Sequence, residues 1–329
     1  MSAPLKTGEI LRERYTVRRI IGQGGMGSIY LADDLRLEGR LCALKEVEHD
    51  SSLPHDMLEQ AREQFQREAT VLARLDHPNL PKVSDFFSDR ERDYLVMDYI
   101  PGKDLRTLMI EARQRDKFIP EPEVLAWAAQ LADALIYMHG QDPPILHRDI
   151  KPSNLKLTPS GLIKLVDFGL VKILASNEMT ITVLQGRGTA LYTPLEQYGG
   201  DSGHTDARSD VYAFGSTLYH LLASQAPVEA RERFLHPGSL TSLRGIRPDI
   251  SVRTERAIVW AMHLHPDERP QDVNAFRQAL LGNLNPTTRP HRQNTSSTYN
   301  DFIPTPTEWI LAALAVGVTA LSLLATLLR

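Results

Sequence analysis

Apolar and polar residues alternate from Tyr15 to Ile21, which predicts a strand. Ser28 to Ala32 is rich in β-formers (Ile29, Tyr30, Leu31), and Leu41 to Val47 is a short apolar run, so both read as further strands. The period then changes. Leu58, Phe65, Leu72 and Leu75 recur at helical spacing and mark one face of a helix, after a polar stretch at 48–57 that reads as a loop. His77 to Val83 ends this helix and starts a strand, and Tyr94 to Ile100 is the next strand, closed by Pro101 and Gly102. From Val124 to Met138, Leu125, Trp127, Ala128, Leu131 and Leu135 outline a second helical face. Two short strands, Leu155–Leu157 and Leu162–Val166, flank Thr158-Pro159-Ser160-Gly161, whose proline and glycine suit a type I turn. A long helix opens at Asp210-Val211-Tyr212-Ala213-Phe214-Gly215, and two more are read at about 251–262 and 272–281.

The last part of the chain differs. From Gly282 to Glu308 proline, threonine, asparagine and serine dominate, which reads as a disordered linker. Trp309 to Leu328 is twenty residues without a charge, apolar on every side, long enough as a helix to cross a bilayer. Trp309 stands at one end, where an interfacial indole is favoured, and Arg329 closes the other. A transmembrane helix at 309–328 is expected. The first residues carry no apolar core of a signal peptide.

Composition narrows the chemistry. A net charge of −4 over 329 residues gives no global basic or acidic character, so no nucleic-acid partner is expected. Cys42 is the only cysteine, which excludes an internal disulfide and a cysteine-cluster metal site.

The reactive side chains gather at the 155–166 hairpin. A hairpin brings its open ends together, so Asn154 and Asp167 should meet, with Asp149 on the loop just before. Three basic or metal-capable groups in one place are hard to explain as packing. Upstream, Gly22, Gly24 and Gly27 form a G-x-G-x-x-G pattern followed by Ile29. Glycines let backbone approach phosphate oxygens. The bare pattern also fits a dinucleotide-binding turn, but that turn opens a helix, whereas here strands lie on both sides. Lys45 sits inside an apolar strand and needs a partner. Glu68 lies on the apolar stripe of the next helix, unlike Glu59 and Glu63, and is the expected partner. His49 and His55 are too isolated to be ligands.

The motif His147-Arg148-Asp149-Ile150-Lys151-Pro152-Ser153-Asn154, followed by Asp167-Phe168-Gly169, resembles the catalytic core of the eukaryotic-like (Hanks-type) serine/threonine protein kinases. The glycine loop from Gly22 to Tyr30 and the stretch His77-Pro78-Asn79-Leu80-Pro81 resemble the bacterial members. The resemblance spans residues 15–281 and implies an α+β, bilobal fold. An antiparallel-sheet N-lobe would occupy about 15–100 and a mainly helical C-lobe about 101–281, after an N-terminal lead of 1–14. It implies ATP and Mg²⁺ (or Mn²⁺) as cofactors, protein hydroxyls as acceptors, autophosphorylation in signalling, and a homodimer as a further possibility.

By the same resemblance Asp149 is the catalytic base, Lys151 steadies the γ-phosphate, and Asn154 and Asp167 hold the metal. Lys45 and Glu68 form the ion pair that places the α and β phosphates. ATP would be lined by Ile21, Gly22, Gly24, Gly27, Ile29, Ala43, Lys45, Met97 (as gatekeeper), Asp98 and Ile100 (through backbone), Asp104 (at the ribose) and Lys156. Tyr94–Ile100 would be the edge strand and hinge. Where the family has leucine or methionine under adenine this chain has Lys156, whose stem is expected to pack there with its ammonium in solvent. Arg148 would receive a phosphate on Thr180 or Thr182 of the activation segment, 170–196. That segment ends in Pro194-Leu195-Glu196, with leucine where a proline is usual. Glu196 should pair with Arg269, and Asp210 should hold the backbone of the catalytic loop. A tethered pseudokinase and a small-molecule phosphotransferase are the alternatives. The activation segment with its Glu196 and Arg269 favours a protein substrate, with the kinase domain in the cytoplasm and a single-pass anchor in the cell membrane.

Overall fold

Six antiparallel strands form the first layer: β1 (Ile10–Leu11), β2 (Tyr15–Gly24), β3 (Gly27–Asp34), β4 (Leu41–Val47), β5 (Val83–Asp89) and β6 (Arg92–Asp98). Their order in the sheet is β1-β2-β3-β4-β6-β5. The computed structural model describes residues 4–24, 27–47, 54–89, 92–167, 190–198 and 205–282. All of these lie in one unit, Met1–Thr287.

Side chains alternate across the sheet, and the two faces bury different things. Ala43, Leu95 and Met97 face the main core, with Ile21 and Ile29 packed against it. Tyr30, Ala32, Cys42, Leu44, Tyr94 and Val96 face a second cluster, completed by Leu11, Tyr15, Val17 and Phe87 and touched by Leu5. The stretch before Tyr15 is therefore part of the fold and not a lead. Leu11 is buried, and the Leu5 N–H donates to the Tyr30 hydroxyl at 3.1 Å. Arg14 holds this corner with a two-pronged bond to Asp34 (2.8 Å each) and a third to Asp85.

Tyr94–Ile100 is not the edge strand. β6 pairs with β4 on one side and β5 on the other. The cause is legible in its composition: Tyr94 to Met97 is buried without interruption, as in an interior strand. The edge on this side of the sheet is β5, whose polar side chains are partly exposed.

Helix α1 (His55–Arg74) follows β4 and lays Phe65, Glu68, Ala69 and Leu72 inward. It takes in His55 and Asp56, so the polar stretch before it is shorter than its composition suggests. Beyond the sheet come α2 (Leu105–Arg113), α3 (Glu121–His139), α4 (Ala207–Ala223), α5 (Ala230–Leu235), α6 (Leu243–Ile246), α7 (Val252–Ala261) and α8 (Val273–Leu281). The last two match the periodicity within one residue. α4 is the centre of this layer: fourteen of its seventeen residues are buried, so it is wrapped on every side. A small three-stranded sheet carries the reactive hairpin: β7 (Lys103–Asp104), just before α2, pairs with β8 (Leu155–Leu157), which pairs with β9 (Ile163–Leu165), the last two lying between α3 and α4.

Among the described residues no helix is long and apolar enough to cross a membrane. The linker from 283 and the apolar run 309–328 lie outside the described residues, as do Thr180 and Thr182.

Candidate functional site

The hairpin does what its turn requires. The Gly161 N–H returns to the Thr158 carbonyl at 3.0 Å, with Gly161 at φ +80°, and the strands pair Leu155 with Leu165. Past the strand ends the Val166 N–H donates to the Asn154 carbonyl at 2.8 Å. That bond sets Asp167 beside Asn154. The hairpin is clamped from outside by Asn79, whose Nδ2 donates to the Ile163 carbonyl at 2.7 Å and whose carbonyl accepts from the Leu165 N–H. Asn79 was legible only as part of a helix-ending stretch; a buried asparagine between apolar neighbours was the available signal.

Asp149, Lys151 and Asn154 form one hydrogen-bonded set. Lys151 Nζ reaches both Asp149 carboxylate oxygens, at 3.1 and 2.9 Å. Asn154 Nδ2 donates to the Asp149 carbonyl at 2.8 Å and to its Oδ2 at 3.0 Å. The amide nitrogen is thereby used, which leaves Asn154 Oδ1 as the atom able to meet a cation. Asp167 adds a carboxylate, so the donor set is hard oxygen and fits Mg²⁺ or Mn²⁺. Burial raises the Asp167 pKa, but the charge and hydrogen bond of Lys45 outweigh it and hold the carboxyl below its usual range.

The loop is held in a strained form. Arg148 and Asp167 both adopt left-handed φ, +61° and +64°. Such conformations cost about 1 kcal/mol or more for non-glycine residues and need external support. Asp210 supplies it for Arg148. It is fully buried and accepts from the N–H groups of His147 and Arg148 at 2.8 Å each, and contacts His139 Nε2 at 2.9 Å. Burial would raise its pKa, yet these partners keep it depressed and the carboxylate ionised.

The pairing expected of Lys45 is different here. Lys45 is ion-paired with Asp167, and no Lys45–Glu68 pair occurs among the described residues. Glu68 is buried and accepts instead from Gln64 Nε2 at 2.9 Å. Burial pushes its carboxyl up to about 7, opposed by the Gln64 bond and then by the charges of Arg148 and Lys45. Spacing along a helix correctly placed Glu68 on the inner face. Its partner depends on where two elements sit relative to one another, which spacing does not report.

The remaining positions converge on the inner face of the sheet. Ile29 lies opposite Lys45, Ala43 opposite Met97, and Gly22 opposite Ile29. Gly24 pairs with Gly27 at the end of β2 and β3, so the glycine pattern joins two strands as read. Gly27 has φ +128°, and a Cβ there would lie 2.3 Å from the Glu46 carbonyl oxygen. Asp98 ends β6 and Ile100 follows two residues on, next to Gly102, which packs so closely on Leu157 that any Cβ would collide at 2.0 Å. Asp104 lies across the ladder from Lys156, and both its oxygens cap α2 through Thr107 N and Oγ1 at 2.9 Å.

A family model described as the protein kinase domain matches residues 15–297. The chain belongs to the protein kinase family. A probable serine/threonine-protein kinase of Clostridium acetobutylicum is 32% identical over 285 residues, covering 83% of this chain and 40% of the relative. The tyrosine-protein kinase MasK of Myxococcus xanthus is 31% identical over 284 residues, covering 81% of this chain and 42% of the relative. The chain thus spans about two fifths of the length of these curated relatives. Among solved structures, the kinase domain of Mycobacterium tuberculosis PknI is 30% identical, with a TM-score of 0.64 over 84% of this chain and 98% of that one.

Within the kinase fold Lys156 departs from expectation in one respect. The side chain is half-buried and its ammonium sits 5.7 Å from the centre of the Tyr99 ring. Burial lowers its pKa, opposed by Asp104 and assisted by Arg19. A cation over an aromatic face is worth about 0.5–1 kcal/mol at a partly exposed site, enough to turn the head inward. Since the ammonium is already occupied, Lys156→Met should leave the KM for ATP unchanged or lower it. A severalfold rise in that KM would show that the charge touches the nucleotide.

Glu68 gives a pH-dependent prediction. Its folded pKa of about 7 lies above the unfolded value of 4.5, so the folded state binds the extra proton. Its contribution is therefore present below pH 4.5 and is lost as pH rises through 7. Glu68→Gln removes that loss and keeps the Gln64 contact. The variant should gain about 2 kcal/mol over the parent between pH 5 and pH 8 in denaturant melts. A constant difference across that range would show that Glu68 is ionised at no cost.

Proposed function

We propose that this chain is an ATP-dependent serine/threonine protein kinase, moving the γ-phosphate of ATP to protein hydroxyls and phosphorylating itself. The observation that carries the reading is the bonded set of Asp149, Lys151 and Asn154 with Asp167 beside it. A carboxylate there can orient an acceptor hydroxyl and take its proton, and the lysine two residues on can balance charge on the moving phosphoryl group. Asn154 Oδ1 and Asp167 would hold a divalent cation, Mg²⁺ by preference, which neutralises charge on the phosphates when bound. Lys45, released from Asp167, would reach the α and β phosphates. The serine/threonine assignment is supported by Lys151 and by the names of most relatives, whereas MasK is named a tyrosine kinase.

The test is transfer of labelled phosphate from Mg-ATP to a general acceptor protein and to the chain itself, followed by phosphoamino-acid analysis. Phosphoserine and phosphothreonine are expected. Phosphotyrosine alone would move the assignment to the other hydroxyl class, and no transfer to any protein would favour the pseudokinase or small-molecule alternatives.

The apolar run 309–328 we assign as a membrane anchor, with the kinase domain on the cytoplasmic side where ATP is. Support comes from its length, its lack of charge and its terminal Trp309 and Arg329. The full chain should sediment with membranes and be released by detergent, while a chain ending near residue 300 stays in the supernatant. Recovery of the full chain in the supernatant without detergent removes the anchor.

A further inference from the structure

The surface beside Asp149 carries a charge imbalance that the catalytic set does not use. Its floor is the buried Tyr192 together with the half-buried His220. The Tyr192 hydroxyl meets His220 Nδ1 at 2.6 Å, and the two rings stack with centroids 5.9 Å apart. The pair is tied to the catalytic loop through α4. Thr217, one turn before His220, donates to the carbonyl of Ile150, the residue after Asp149, at 3.2 Å. The wall is the first turn of α2, which packs against both the turn at 152–154 and α4. Arg106 projects from that turn and is exposed.

Among the described residues, two carboxylates near this surface are already committed. Asp149 is bonded to Lys151 and Asn154, and both oxygens of Asp104 cap α2. Lys103 is neutralised by Glu111, at 2.6 and 2.9 Å. The His220 imidazole stays neutral at physiological pH, since burial and then the Arg106 charge push its pKa down to about 4. Arg106 is different. Among the described residues it has no hydrogen bond or ion pair, so its guanidinium is the unbalanced charge.

We infer that Arg106 is a specificity-determining residue, selecting protein segments that carry an acidic or phosphorylated side chain next to the accepting hydroxyl. This rests on the kinase reading above and deepens it. A guanidinium offers a planar fork that matches carboxylate or phosphate oxygens, and charge-assisted bonds of this kind are the stronger ones. A lysine or arginine on the substrate would meet a like charge beside a neutral imidazole and an uncharged phenol, with Asp149 and Asp104 both engaged elsewhere. Tyr192 and His220 act by holding the floor apolar and uncharged. His220, in the last turn of a helix apolar on nearly every side, was not singled out by the sequence.

The experiment uses the full chain in detergent with three peptides, each with one threonine, identical except for glutamate, glutamine or arginine on both sides of it. The glutamate peptide should show a kcat/KM about tenfold above the arginine peptide, with the difference in KM and shrinking at high salt, as an exposed charge contact does. Arg106→Glu should invert the order and Arg106→Gln should flatten it, with thermal melting used to show that each variant is folded. Equal use of the three peptides by the parent chain, or an order unchanged in the folded Arg106 variants, overturns the inference while leaving the kinase reading intact. Absence of transfer to every peptide together with absence of autophosphorylation overturns both.

Discussion

Asp149→Asn should lower phosphate transfer by about three orders of magnitude or more while leaving the fold in place. A positioned general base contributes roughly 10²–10⁴-fold, and removing one member of a cooperating set costs most of what the set supplies. Asparagine keeps an oxygen for the bonds from Lys151 and Asn154, so the loop should not collapse. Asp167 calls for more care. Its φ of +64° is a conformation that asparagine tolerates and alanine does not. Asp167→Asn is thus the cleaner test of a metal ligand, since a loss in Asp167→Ala would mix lost coordination with backbone strain. Both asparagine variants should melt within a few degrees of the parent and transfer almost no phosphate. Retained activity in either would remove its residue from the chemistry.

The largest stability effect should come from Arg269→Ala. The Arg269 side chain is buried, lies 4.9 Å over the Tyr212 ring, and is bonded to both oxygens of Glu196 at 2.6 and 3.0 Å. It also donates to the carbonyls of His263, Leu264 and Arg208, at 2.7, 2.9 and 3.1 Å. Truncation would leave Glu196 with only the Ser209 hydroxyl, and three carbonyls without this donor. Removing one partner of a buried pair costs about 3–5 kcal/mol, chiefly because the other charge stays behind. For a domain of this size that is on the order of 10 °C in Tm. Arg269→Lys should recover little, because an ammonium cannot span the fork of acceptors that a guanidinium reaches. Calorimetric melting within 2 °C of the parent would show the pair to be dispensable.

Much of the architecture was legible because its signals are local. A strand bounded by turns, a helix with a period near 3.6 and a proline-glycine hairpin depend on residues a few positions apart. So do the two carboxylates and the asparagine gathered by that hairpin. The errors share a different origin. β6 was read as an edge because order within a sheet is a long-range property. The residues before Tyr15 looked like a lead because Ile10 and Leu11 form too short an apolar run to score as a strand. They are recruited by a hairpin turn with positive φ at Arg12 and Glu13, and by burial against Tyr30.

The amino-acid order alone determined which groups exist and at what spacing: the glycine pattern, Lys45 in an apolar strand, Glu68 on the inner stripe of α1, and the Asp149–Asn154–Asp167 constellation. It also determined the type of most elements, since hydrophobic period is a property of neighbours. The tertiary structure decided the partners. Lys45 lies with Asp167, Glu68 is drawn toward protonation by burial, Lys156 turns to Tyr99, and Tyr192 stacks on His220. Each of these outcomes is set by desolvation and by distances of a few ångströms between segments remote in the chain. Electrostatic energies change steeply with both, and neither is a function of sequence separation.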